Sequence, residues 1–122
     1  MIGCGSVEEA AEQKPVEITL QGLDTLTFNQ TSITVPTGAP INLTFENNGT
    51  LDHNFLVVQQ DTSLITLSDA DSFPGSSTGT VAGGATKVHT FFAPFTAGNY
   101  IFACSIPGHA ASGMSGTFTV TE

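Results

Sequence analysis

The chain has 122 residues and a formal net charge of -9, because eleven acidic residues stand against two basic ones. This length fits one domain with an ordinary hydrophobic core, and the acidity excludes a nucleic-acid-binding surface, which needs clustered positive charge. Thr, Val, Phe and Gly are abundant and turn residues recur at short intervals, which predicts an all-β fold with little helix.

The first 15 residues, MIGCGSVEEAAEQKP, combine small and acidic residues without apolar periodicity, which is typical of a flexible tail. We therefore expect a tail at 1–15 and one domain at 16–122. No run approaches the roughly 18 apolar residues that cross a bilayer, and the start lacks the apolar stretch of an intact export signal.

Short β-rich runs separated by turn signals fill most of the domain. They are VEITL, TLTF, SITVP, INLTFEN, NFLVVQ, KVHTFF, NYIFACS and GTFTVT. This pattern predicts a Greek-key β-sandwich of seven to eight strands. The exception is residues 61–86, where we expect a helical turn after Asp61 or Thr62 and then a Gly/Ser-rich connection lying over the sandwich.

Strand alternation predicts which side chains point inward, because neighbouring side chains along a strand face opposite sides of the sheet. In NYIFAC, Cys104 shares a face with Tyr100 and Phe102. In LDHNFLVV, Leu51 and His53 share a face with Phe55 and Val57. If the aromatic residues fill the core, the thiol and the imidazole both point inward from different strands.

The stretch CSIPGHAASGM carries Cys104, His109 and Met114 at intervals of five residues. Taken singly, a Cys is often a small buried hydrophobe, a Met often fills gaps, and His53 could be an ordinary interior histidine. The chain has two Cys, three His and two Met, so this regular series around a Pro-Gly turn is a rare coincidence. Together with His53 it favours a metal site.

The donor types indicate which metal such a site would hold. One thiolate, two imidazoles and a weak thioether form the ligand set of blue-copper electron-transfer sites. Zinc remains an alternative for the same pocket. Structural zinc, however, usually has four strong Cys or His donors, and catalytic zinc keeps a water position that Met114 would obstruct.

At these residues the sequence resembles the cupredoxins, the type 1 blue copper proteins. GNYIFACSIPGHAASGM is similar to their penultimate strand and ligand loop, and DHNF is similar to their first ligand segment. The spacing from His109 to Met114, with PGH and GMSGTFTV, is most similar to the auracyanins of filamentous phototrophic bacteria.

The resemblance implies one type 1 copper ion bound by four residues, which are His53, Cys104, His109 and Met114. It also implies that Asn54 braces the ligand loop by a hydrogen bond near Ser105, that the carbonyl of Asp52 lies close to the metal, and that the Tyr100 hydroxyl anchors a corner.

The implied function is one-electron transfer between Cu(II) and Cu(I), without enzymatic activity, between membrane-associated complexes of a photosynthetic or respiratory chain. A cytochrome c or quinol-oxidising complex and a reaction centre would dock transiently around His109 of a monomer. Copper trafficking or storage is the alternative function. A metal-free interaction domain is a further one, and an oxidase is disfavoured because no His-x-His pair is present for additional copper centres.

The stretch IGC near the start resembles the last part of a bacterial lipoprotein cleavage box, with Cys4 as the lipidated residue. This resemblance implies a periplasmic or other extracytoplasmic protein tethered to a membrane. The alternative is that Cys4 is an incidental exposed thiol. We do not expect a disulfide between Cys4 and Cys104, because it would tie a flexible end to the last loop.

Overall fold

The computed structural model describes residues 14–59 and 63–122. It contains eight strands, which confirms the predicted all-β sandwich: β1 (Val16–Leu23), β2 (Thr27–Phe28), β3 (Ser32–Pro36), β4 (Pro40–Asn47), β5 (Leu56–Val58), β6 (Thr86–Phe92), β7 (Gly98–Ala103) and β8 (Ser115–Thr121). Within these described ranges, no helix has the length and apolar character needed to cross a bilayer.

The strands form two four-stranded sheets, in the orders β2-β1-β4-β6 and β3-β8-β7-β5. One parallel pair occurs in each sheet: β1 runs beside β4 with Val16 opposite Ile41, and β3 runs beside β8 with Ser32 opposite Thr117. The other pairs are antiparallel. This arrangement brings the ends of β1, β4 and β7 together at one end of the sandwich.

The core lies between the sheets and follows from strict alternation in the sequence. Along β4, Ile41, Leu43 and Phe45 are buried while the residues between them are less so. Phe118 and Val120 of β8 face them from the second sheet. Each fully buried side chain of this size stabilises the fold by about 1.5–3 kcal/mol.

A smaller apolar cluster covers the outer face of the second sheet. Leu56 and Val58 of β5 and Ala103 of β7 pack there against Leu67 from the connection and Ala110 from the last loop. The connection therefore lies over the sandwich, as predicted. The connection contains the 3-10 turn Asp69–Asp71. The helical turn expected after Asp61 or Thr62 begins at residues outside the described ranges.

The connection also covers the outer edge of β5 with polar side chains. Ser76 Oγ accepts from Val57 N at 3.0 Å, and Thr78 Oγ1 accepts from Phe55 N at 3.1 Å. Thr78 N in turn donates to Phe55 O at 2.9 Å. Both hydroxyl residues are buried, because they take the place of a neighbouring strand.

At the opposite end of β7, the Tyr100 hydroxyl donates to the carbonyl of Thr96 at 2.8 Å. This bond closes the corner between β6 and β7, in keeping with the role that the resemblance implied for it.

Candidate metal centre

Cys104 lies immediately after β7, at the end of the sandwich, and its side chain is fully buried. Its sulfur accepts a hydrogen bond from Asn54 N at 3.4 Å. Burial raises the pKa of the thiol, while hydrogen bonds from the backbone of Asn54 and Ile106 act in the opposite direction. Without a nearby cation the protonated thiol is therefore favoured.

The loop after Cys104 folds back on itself through short-range main-chain bonds. His109 N donates to Ile106 O at 3.0 Å, and Met114 N donates to His109 O at 3.0 Å. Cys104 N then donates to Met114 O at 3.2 Å, which closes the loop. Gly108 permits the reversal, because its φ of 83° is a conformation that residues with a Cβ rarely adopt.

His109 is half-buried on this loop, and its Nδ1 lies 3.6 Å from the Cys104 sulfur. Desolvation lowers the pKa of its imidazole, as does the nearby His53, while Asp24 raises it. The neutral imidazole, which is the form that binds metals, is thereby favoured at neutral pH.

His53 reaches the same place from the first part of the chain. It lies just before β5, where its main chain forms an isolated bridge with Val81 through bonds of 3.1 and 2.8 Å. The strand assignment extending back to residue 51 was therefore wrong, and Leu51, expected on the inner face, is exposed. The inward direction of His53 was predicted correctly, since its ring is fully buried.

The structure brings together His53, Cys104 and His109, whose ligand atoms all lie within 4.8 Å of one another. Among the described residues, Nδ1 of His53 is the buried side-chain polar atom that has no hydrogen-bond partner. Such an orphaned donor or acceptor costs free energy unless something binds it. A soft cation with affinity for thiolate and imidazole fits this cluster.

Met114 is fully buried, and its main chain is bonded to both Cys104 and His109. The methyl group at its tip lies against β1, 3.3 Å from where a Cβ on Gly22 would stand. The thioether is therefore enclosed at the same end of the sandwich as the cluster.

Asn54 joins the His53 side of the site to the ligand loop. Its Oδ1 accepts from Ser105 N at 2.7 Å, and its Nδ2 donates to Ser105 Oγ at 2.8 Å. The hydrogen bond expected near Ser105 is thus present twice. Asp52 is exposed, and the approach of its carbonyl to a metal stays a prediction.

Asp24 is a residue of this site that the sequence did not reveal. It follows β1, and its Oδ1 accepts a hydrogen bond from His53 Nε2 at 3.1 Å. Hydrogen bonds hold the pKa of its carboxyl well below its usual range, and the bond from the Thr50 backbone is the largest cause. In QGLDTLTF it has the character of an ordinary turn residue, and no local signal distinguishes it.

The third histidine of the chain lies elsewhere. His89 is on β6, where its Nε2 is bonded to Gly75 O at 2.8 Å, in keeping with a structural role. Within the described ranges Cys104 is a free cysteine. The predictions for Cys4 and for most of the tail at 1–15 fall on residues outside those ranges.

Comparison with known proteins adds independent information. The model of the sulfocyanin (SoxE) domain family matches residues 10–122. Auracyanin-B of Chloroflexus aurantiacus is 31% identical over an alignment of 115 residues, and the match covers 80% of this chain. The chain spans about half of that relative's length, 48%.

Two further similarities concern a different relative and a solved structure. The copper-resistant cuproprotein CopI of Rubrivivax gelatinosus is 31% identical over 123 residues, covering 93% of this chain and 70% of that protein. The structure of auracyanin A, described as a "blue" copper protein from Chloroflexus aurantiacus, superposes with a TM-score of 0.76 at 26% identity, covering 88% of this chain and all of that one (100%).

Proposed function

The chain belongs to the sulfocyanin (SoxE) family of cupredoxins, and from this premise we propose that it is a one-electron carrier with a single type 1 copper site. The observation that carries the proposal is the cluster of His53, Cys104 and His109, whose ligand atoms lie within 4.8 Å. The unpartnered, buried Nδ1 of His53 supports it, because a metal ion would satisfy that atom.

We assign the ligands as His53 through Nδ1, Cys104, His109 and Met114. A bound copper ion supplies a one-electron couple between Cu(II) and Cu(I). Cys104 contributes a negative thiolate, which the raised pKa of the free thiol makes dependent on the metal's charge. Thiolate and thioether suit Cu(I), and imidazole suits both oxidation states.

The protein holds these donors in a dry and constrained place. His53, Cys104 and Met114 are fully buried, so solvent does not reach these three donors. The bonds from Asn54 to Ser105 and the closed main-chain bonds of the loop fix the donors in place. Donors that move little between oxidation states suit rapid electron transfer.

His109 is the half-buried member of the set, and we propose that electrons enter and leave at its exposed edge. Pro107 and Ala111 are exposed near it on the loop, which gives a neutral surface of small groups. A contact there below about 1,200 Å² is typical of redox encounters that must separate quickly. The net charge of -9 would orient a cationic partner from a distance.

We propose a cytochrome c or quinol-oxidising complex as electron donor and a membrane-bound complex such as a reaction centre as acceptor, with the chain acting as a monomer and not as an enzyme. An extracytoplasmic location, with a lipid on Cys4, is supported by the resemblance of IGC to a lipoprotein cleavage box.

Copper trafficking or storage is a second candidate, which the similarity to the copper-resistant cuproprotein CopI favours. The two functions differ in a measurable way. A carrier gives a reversible one-electron wave in voltammetry and retains its copper, whereas a trafficking protein passes copper to an acceptor protein without changing its oxidation state.

The test of the proposal is a titration of the apoprotein with Cu(II). We expect one equivalent to bind and to produce intense blue absorption with a narrow copper hyperfine pattern in EPR. Cys104→Ser should abolish this absorption, and Cys4→Ser, which removes the other thiol, should retain it. A colourless wild type or a blue Cys104→Ser variant would contradict the proposal.

A further inference from the structure

The carboxylate of Asp24 accepts hydrogen bonds from a distant part of the chain. Its Oδ2 accepts from Thr50 N at 2.7 Å and from Thr50 Oγ1 at 2.8 Å. Its Oδ1 accepts from Leu51 N at 3.2 Å and from His53 Nε2 at 3.1 Å. Four donors from residues 50–53 thus converge on one carboxylate, 26 to 29 residues away in sequence.

Gly49 makes this close approach possible. A Cβ at this position would lie 1.9 Å from Asp24 Oδ1 and 2.5 Å from its Cγ. Any larger residue at 49 would therefore displace the carboxylate or the loop. The close fit between Gly49 and Asp24 is a second observation, independent of the hydrogen bonds, that this part of the chain is shaped around the Asp24 side chain.

The hydrogen bond to Asp24 determines which nitrogen of His53 carries the proton. An ionised carboxylate only accepts hydrogen bonds, so Nε2 of His53 must be the donor in the bond to Asp24. In the neutral ring the other nitrogen then bears a lone pair. That nitrogen, Nδ1, is the buried atom without a hydrogen-bond partner among the described residues.

We propose that Asp24 is the positioning residue of the copper site. Its carboxylate holds the His53 ring with the proton on Nε2 and the Nδ1 lone pair directed into the cluster before any metal binds. Its negative charge, transmitted through the imidazole, stabilises Cu(II) relative to Cu(I) and so lowers the reduction potential. The redox part of this proposal rests on the proposed function, while the positioning part concerns the protein alone.

A carboxylate bonded to a metal-ligating histidine generally increases the basicity of the ligand and fixes its orientation. Removal of such partners typically lowers metal affinity about 10- to 100-fold. The Asp24 side chain is 37% exposed, so part of its charge effect is screened by solvent. The orientation of the ring does not depend on that screening.

The first experiment records the tautomer of His53 in the wild-type apoprotein by long-range ¹⁵N–¹H correlation NMR. We expect a protonated Nε2 and an unprotonated Nδ1. A proton on Nδ1 would overturn the proposal. This measurement needs neither a variant nor copper, so it decides the positioning role even if the proposed function fails.

The second experiment compares Asp24→Asn with Glu17→Gln. Glu17 is a matched control because it lies at the far end of β1, is exposed, and accepts a side-chain bond from Asn42 at 2.9 Å. We expect Asp24→Asn to retain the blue absorption, to bind Cu(II) about 10- to 100-fold more weakly and to have a higher reduction potential. Glu17→Gln should match the wild type in both.

The outcomes separate the two proposals. If the wild type becomes blue and Asp24→Asn equals Glu17→Gln in both affinity and potential, the role of Asp24 is wrong while the electron-carrier function stands. If the wild type takes up no copper, the proposed function fails, and the NMR result alone decides whether Asp24 positions the ring. Should Asp24→Asn fail to fold, the wild-type NMR result again decides.

Discussion

Two regions of the molecule meet at the candidate metal centre, and they are held by different kinds of contact. The ligand loop, residues 104–114, is closed by main-chain bonds between its own residues, such as those that link Met114 to His109 and to Cys104. The His53 segment, residues 49–54, is held by contacts from Asp24, 29 residues before His53, and from Val81, 28 residues after it. One region is shaped locally and the other by the tertiary fold.

This difference indicates that the two regions have different roles in the candidate site. The ligand loop supplies three of the four proposed donors and carries half-buried His109 to the surface, where the proposed partner would dock. The His53 segment supplies one donor whose ring is fully buried and held by a carboxylate. We infer that the loop determines access to the site and that the segment determines its rigidity.

The largest expected effect comes from removing either histidine. His109→Gly and His53→Gly should each abolish the blue absorption. Added imidazole should restore it at a lower concentration in His109→Gly, because His109 is half-buried on the surface loop whereas His53 is fully buried. Optical titration with imidazole measures the concentration needed for rescue. Equal rescue of both variants would contradict the inference that the loop determines access to the site and the His53 segment its rigidity.

Substitution of Met114 tests whether the end of the loop contacts the metal. Met114→Gln should keep the blue absorption and lower the reduction potential, because a harder donor favours Cu(II). Met114→Leu, which keeps the apolar volume and removes the sulfur, should raise the potential instead. Protein-film voltammetry measures both, and a potential unchanged in the two variants would show that Met114 is not a ligand.

Asn54→Ala tests the link between the two regions. Asn54 is buried and makes both side-chain bonds to Ser105, so its truncation should lower the free energy of unfolding of the apoprotein by about 1–3 kcal/mol. Ser105→Ala removes only the hydroxyl bond and should cost about 0.5–1.5 kcal/mol. Urea unfolding provides both values, and equal losses would indicate that the main-chain bond from Ser105 N to Asn54 Oδ1 contributes nothing.

The smallest effect is expected far from both regions. Tyr100→Phe removes the bond to the Thr96 carbonyl, and should lower the free energy of unfolding by about 0.5–1.5 kcal/mol. The copper absorption should not change, because Tyr100 lies toward the other end of β7 from Cys104. A shifted absorption maximum would mean that the metal centre is coupled to the whole length of the strand.

The sequence was sufficient to predict what depends on local pattern. Alternation along NYIFAC predicted the buried face that carries Phe102 and Cys104, and the ligand loop was visible because Cys104, His109 and Met114 lie within eleven residues. Most strand bounds followed from turn residues. These features are encoded by neighbours in the chain, so a single sequence contains them.

The parts that depend on distant contacts could not be predicted. Asp24 acquires its role only because β1 runs parallel to β4 and ends beside the turn that contains Gly49. His53 was expected within a strand, but the bridge that holds it is made with Val81 of the connection. Ser76 and Thr78 likewise have no periodic pattern, and their hydroxyls replace a strand only because the fold places them beside β5.

The polar cover along β5 has a consequence for association between molecules. An uncovered edge strand offers its amides and carbonyls to a strand of another chain, which leads to aggregation. Here the amides of Phe55 and Val57 are already engaged by hydroxyls of the same chain. A second molecule cannot add a strand beside β5 without first displacing Ser76 and Thr78 of the connection. The same stretch of the connection continues to Val81, which bridges to His53, so it both orders the candidate metal centre and protects the protein from self-assembly at that edge.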